Sequence, residues 1–217
     1  MLKIINNINM VNEIRRKSDT DVSSYQLTQE FKENPNEFLK KNLLLINNEP
    51  THVPIKTGVY NFQIEPLAGK HAVDHNGKKI NCCLLKQIPE YSKSMITAYF
   101  LAYKQDGIES IKLGDDADLF LSAGLTGCGL AIESTSSPQV FHIDGEKYPN
   151  DKMLDSLPDT NKKRLYNDAT YGNDHYYGGS SAIGVRDGSS WKFFGQAWYM
   201  KNLDSYQLAF REGTFLI

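Results

Sequence analysis

The stretch Val59–Glu65, VYNFQIE, decides the fold class. Tyr60, Phe62 and Ile64 alternate with Asn61, Gln63 and Glu65. Only an extended chain gathers the first set on one face and the second on the other. From about Thr51 onward this period of two dominates. Before it the spacing is helical: Ile4, Ile8, Val11 and Ile14 form one apolar stripe. A second helix is predicted from Asn34, with Pro35 in its first turn and Phe38, Leu39 and Leu43 facing inward. Neither helix carries paired carboxylates or histidines on one face, so both read as packing elements.

Hairpin signals follow at Asn76-Gly77, Asp106-Gly107 and Asp187-Gly188, each between strand-like runs. One more helix is expected over Asp151 to Asp168, interrupted at Pro158. Tyr171–Ser181, YGNDHYYGGSS, is a loop by composition, and its tyrosines and His175 make it a candidate gate. No repeat, linker or low-complexity tract divides the chain. The expectation is one α+β domain over 1–217: a central, mostly antiparallel β-sandwich or sheet with flanking helices.

Composition narrows the function classes. A chain of 217 residues, 40% hydrophobic and 23% charged, can bury a core unaided and is not disordered. The formal charge of -2, with no lysine–arginine stripe, gives no footprint for nucleic acid. The longest apolar runs, such as Leu43–Ile46, are far too short to span a bilayer, so no membrane partner is expected. The opening residues lack the order of a secretory signal.

Three cysteines make an odd count, which argues against a disulfide framework. Cys82 and Cys83 are adjacent; in a strand they point to opposite faces and read as small buried hydrophobes. His71 and His75 match no zinc spacing and read as turn residues, so neither metal nor cofactor is expected. Trp191 and Trp198 fit strand positions in a core.

Cys128 stands apart. Leu125–Gly145, LTGCGLAIESTSSPQVFHIDG, places it between Gly127 and Gly129 at the end of one strand, with His142 on a later strand. The glycines admit backbone angles closed to other residues and leave room for a substrate. The intervening turn lets the two flanking strands pair and set His142 beside Cys128. An imidazole there favours the thiolate and can protonate a leaving group. Backbone N–H groups of Leu125, Thr126, Gly127 and Gly129 are candidates to hold an oxyanion. The bland alternative is a buried cysteine and a structural histidine.

These residues resemble the Burkholderia lethal factor-like glutamine deamidase toxins, related to the cytotoxic necrotizing factor catalytic domains and the chemotaxis deamidase. Leu125-Thr126-Gly127-Cys128 matches the family's Leu-Ser-Gly-Cys, and Phe141-His142-Ile143-Asp144 its Trp-His-Ile-Asp. The likeness runs from about residue 96 to 145, through YFLAYKQDGIESIKLGDDADLFLSAGLTGC. Thr126 replaces the family's serine, and Ser122 stands where its catalytic threonine would be. The interval from cysteine to histidine is longer than in the family. The resemblance implies a bacterial toxin or effector that converts a glutamine of a host protein to glutamate. Cys128 would be nucleophile, His142 acid and base, and Ser122 the orienter of the imidazole. Asp144, two residues beyond His142, is a rival orienter. Family targets include Rho-type small GTPases, a translation-initiation RNA helicase and chemoreceptors, so the dyad does not fix the substrate. The implied route is synthesis in the bacterial cytoplasm without a recognisable signal, secretion, and action in the host cytosol. A thiol protease or acyltransferase with the same dyad, or an inactive toxin-like binding module, are the alternatives.

Overall fold

The computed structural model describes residues 23–46, 51–74, 76–89, 94–133, 136–149, 152–157, 164–166, 178–202, 205–209 and 214–215. The stripe from Ile4 to Ile14, His75 and most of the loop around His175 lie outside these residues.

Helix α1 (Ser24–Glu33) starts at a capping box: the Ser23 hydroxyl accepts from Gln26 N–H, and the Gln26 side chain accepts from Ser23 N–H. Helix α2 (Pro35–Lys41) begins as expected, with Asn34 capping Glu37 N–H and proline in the first turn. It ends earlier than expected. Leu43 is buried in strand β1 (Asn42–Leu45), not on the helix.

The strands then follow as β2 (Gly58–Pro66), β3 (His71–Val73), β4 (Lys79–Gln87), β5 (Ile96–Leu101), β6 (Ile108–Lys112), β7 (Leu119–Ser122), β8 (Gly129–Ile132), β9 (Gln139–Ile143), β10 (Arg164–Tyr166), β11 (Gly178–Asp187), β12 (Ser190–Asn202), β13 (Ser205–Ala209) and β14 (Thr214–Phe215). They form two sheets. The large one runs β1-β4-β2-β5-β7-β11-β12-β13-β3, and because β3 also pairs with β4 the path returns on itself. It is mixed: β1–β4, β5–β7 and β13–β3 are parallel. The small sheet, β10-β8-β9-β6, is antiparallel throughout.

Alternation along β5, β7 and β11 sorts the core. Phe100, Leu121 and Ile183 face the helices with Leu27, Phe31 and Phe38. Tyr99, Leu101, Phe120, Ala182 and Phe193 face the small sheet, meeting Leu130, Ile132 and Val140. The outer face of the small sheet, Ala131, Phe141 and Ile143, is covered by Met153 and Leu157. Cys82 and Cys83 fall into different clusters on opposite faces, and none of the three cysteines forms a disulfide. Trp191 is buried between the sheets, and Trp198 packs on the cluster holding Cys82.

One polar side chain ties distant parts together. Buried Gln196 on β12 accepts from Leu44 N–H at 2.8 Å and donates to the carbonyls of Leu39 and Asn42 at 2.9 and 2.7 Å.

Several expectations need correction: Gly178–Ser181, read as the end of a loop, begin β11, and His71, read as a turn residue, opens β3. Asp106-Gly107 is not a hairpin turn: β5 lies in the large sheet and β6 in the small one, so this segment crosses between layers. The helix expected over 151–168 is also absent from the described part of that span. A single 3-10 turn covers Leu154–Ser156, and β10 pairs with β8 to cover what would otherwise be an open sheet edge. Asn76-Gly77 and Asp187-Gly188 do join paired strands, β3–β4 and β11–β12.

Candidate active site

Strands β8 and β9 bring the cysteine and histidine together as the spacing predicts. Leu130 pairs with His142 and Gly129 with Ile143. Cys128 precedes β8 by one residue, on the face of Leu130, so it is a diagonal neighbour of His142 across the ladder. The turn before it depends on two glycines. Gly127 has φ 77°, the left-handed region. Its carbonyl oxygen packs so tightly on Gly145 that a β-carbon there would lie 1.7 Å away. Leu125 exchanges both backbone hydrogen bonds with Ser180 of β11, at 2.7 and 2.9 Å, anchoring the other end of the turn to the large sheet.

The pair is enclosed. His142 is 1% exposed and Cys128 5%. Neither imidazole nitrogen makes a hydrogen bond among the described residues. Burial pushes His142 down to about 4, while the nearby Asp144 carboxylate pulls it partly back. The imidazole is therefore neutral at pH 7 and available as a base. Leaving both nitrogens unpartnered inside a protein costs about 1–3 kcal/mol for each group, and such orphans concentrate where chemistry is done.

Asp144 joins the site to its surroundings. Its carboxylate accepts from the Tyr103 hydroxyl at 3.3 Å, from Asp106 N–H at 2.6 Å and from Glu146 N–H at 3.0 Å. Its own N–H donates to Gly107 O, and Lys147 Nζ donates to Asp106 O. Asp106, with φ 54°, is the only non-glycine residue in the left-handed region among those described.

Ser122 occupies the same interlayer face as Phe120 and is fully buried. Its hydroxyl accepts from Ala182 N–H at 3.0 Å, and no hydrogen bond joins it to His142. Asp144 makes none to the imidazole either, but its charge acts on it. The expected contact from Ser122 to the histidine is thus unmade among the described residues, although accepting from Ala182 leaves the hydroxyl a second lone pair and its own O–H.

Two residues here escaped the sequence reading. Tyr103 lies with its ring 5.6 Å from the imidazole ring at 58°. Loss of hydration, then the charges of Asp144 and Cys128, push its hydroxyl up to about 12. Nothing in its pattern marks it; it only follows a strand. Ser180 alternates with Ala182 on the interlayer face, and its buried hydroxyl has no hydrogen-bond partner. Thr126 of the motif reaches toward the neighbouring Gly179, where a β-carbon would stand 3.4 Å from its hydroxyl.

No family model matches the chain, and no curated protein matches it. No helix among the described residues is long and apolar enough to cross a membrane.

Proposed function

We propose that the chain is a protein-glutamine deamidase of the lethal factor-like kind, a bacterial toxin or effector acting on a host protein. The observation that supports this best is the diagonal, same-face placement of Cys128, one residue before β8, and His142 on the paired strand β9, with neither imidazole nitrogen hydrogen-bonded among the described residues. A neutral buried imidazole beside a thiol is equipped for proton transfer and has no structural bond to lose by it.

The chemistry follows from that arrangement. His142 takes the thiol proton as Cys128 Sγ bonds to the carbonyl carbon of a glutamine side chain. Backbone N–H groups of the turn from Thr126 to Gly129 hold the oxyanion, that of Leu125 being committed to the Ser180 carbonyl. As the intermediate collapses, the C–N bond breaks and His142 returns the proton to departing ammonia, leaving a thioester. His142 then deprotonates water, which attacks the thioester. The C–S bond breaks, and glutamate and the thiol are released. The sum is glutamine plus water to glutamate plus ammonia. Asp144, coupled to the imidazole by charge, favours its transient protonation. The host target, whether a small GTPase, a translation-initiation RNA helicase or another protein, is a matter for experiment.

Host-cell lysate treated with wild-type protein or with Cys128→Ser, followed by mass spectrometry, tests this. Glutamine-to-glutamate conversion in an intact chain, present only with wild type, is expected. Cleaved or acylated targets would replace deamidation with the protease or acyltransferase reading. No covalent change in any target would leave a binding module.

A further inference from the structure

The enclosure of the pair raises a mechanical question. A glutamine amide must touch a thiol that is 5% exposed and an imidazole that is 1% exposed, so part of the wall has to move. Among the described residues, Tyr103 both touches the imidazole and meets water. It is 38% exposed, whereas Leu101 and Ala102 before it are buried. Its ring packs against the imidazole at 58°, with 5.6 Å between centroids. Its hydroxyl is held by Asp144 through a hydrogen bond of 3.3 Å, longer than the usual O–H···O bond. Three residues on, the Asp106 N–H makes a shorter bond of 2.6 Å to the same carboxylate. The ring is therefore loosely held beside a more firmly held turn.

We propose that Tyr103 is the cover of this site and the positioning residue of His142. Its ring, latched by Asp144, closes over the thiol–imidazole pair and swings aside to admit a side-chain amide. One long hydrogen bond and one ring contact are weak enough to leave an open minor state populated without unfolding. When closed, the ring keeps water from the imidazole and restricts its rotation. This rests on reading Cys128 and His142 as the reactive pair, but its test needs no substrate.

The test is the iodoacetamide alkylation rate of each cysteine, resolved by peptide mass spectrometry over a range of pH, for wild type, Tyr103→Phe and Tyr103→Ala. Removing the ring is expected to speed Cys128 alkylation by about tenfold. The phenylalanine variant keeps the cover, loses the latch and falls between. Cys82 and Cys83 should keep their wild-type rates in both. The acid limb of the Cys128 profile should move up in Tyr103→Ala, as the imidazole gains water. Cys128 rates that are flat in both variants overturn the proposal. So does a rise that Cys82 and Cys83 share, since that is general loosening. If the alanine variant does not fold, the phenylalanine variant decides on the same terms. Failure of the deamidase reading shows elsewhere, in unchanged glutamines of treated lysate, and leaves these rates untouched.

Discussion

Gly145 lies directly against the carbonyl of Gly127, with room for a hydrogen and not for a methyl group. That contact presses the turn carrying Cys128 onto the chain leaving His142. Gly145→Ala should therefore cost about 2–4 kcal/mol and displace the turn. Gly77→Ala is the comparison: its φ of 78° strains any side chain while nothing lies within 4 Å of the added carbon, whereas Gly145 has the contact and no left-handed φ. A Gly145→Ala melting temperature no lower than wild type would mean that the contact relaxes at no cost.

Cys128→Ser should abolish deamidation and leave the fold in place. The side chain sits at a turn, and exchanging sulfur for oxygen in a buried site costs on the order of 1 kcal/mol. Thermal melts and initial rates measured together decide the role. A collapsed transition would make the residue a packing element.

His142 predicts an acid weakness. Its folded value of about 4 lies below the 6.5 of the unfolded chain. The unfolded state thus binds the proton first as pH falls. Stability from the neutral imidazole is full above pH 6.5, erodes through the window between 6.5 and 4, and is lost below it. The whole effect is about 3 kcal/mol. His142→Leu should flatten that part of the stability profile and raise the melting temperature at pH 7, because two unpartnered nitrogens disappear. It should also eliminate activity. A leucine variant with wild-type acid sensitivity would show that another group titrates.

Ser122 and Asp144 should separate by what they disturb. Ser122→Ala strands the buried N–H of Ala182, so a loss of about 1–3 kcal/mol in stability is expected, with turnover largely kept well below the melting point. Ser122→Thr should recover it. Asp144→Asn removes the charge acting on His142 and one acceptor of a carboxylate that serves three donors. Its turnover should fall at least about tenfold. Equal catalytic damage from both, measured at the same fraction folded, would restore the orienting role to Ser122.

Local signals reached far into this fold. The alternation in Val59–Glu65 marked β2, Asn34-Pro35 marked the start of α2, and the turn after Ile132 placed His142 on the strand beside Cys128. What stayed hidden depends on partners distant in sequence. Residues 164–166 form a strand because β8 offers an unpaired edge, a fact no local window contains. Asp106-Gly107 carries turn chemistry, yet the chain uses it to change sheets. Ser122 was picked out by likeness and then found serving Ala182, while Tyr103 gains its meaning only from Asp144, which lies 41 residues away. The α1 capping box was legible at Ser23 and Gln26 but went unread.

Gln196 bears on how the chain is made. Its partners Leu39, Asn42 and Leu44 leave the ribosome more than 150 residues before it. At roughly 5–20 residues per second, that interval is on the order of ten seconds. Through it the carbonyls of Leu39 and Asn42 and the N–H of Leu44 lack this partner, although the apolar faces of both helices already have β2, β4 and β5 to pack on. The junction of α2 and β1 is thus locked by a side chain made more than 150 residues later, and a nascent chain stopped at Gly195 still lacks that lock.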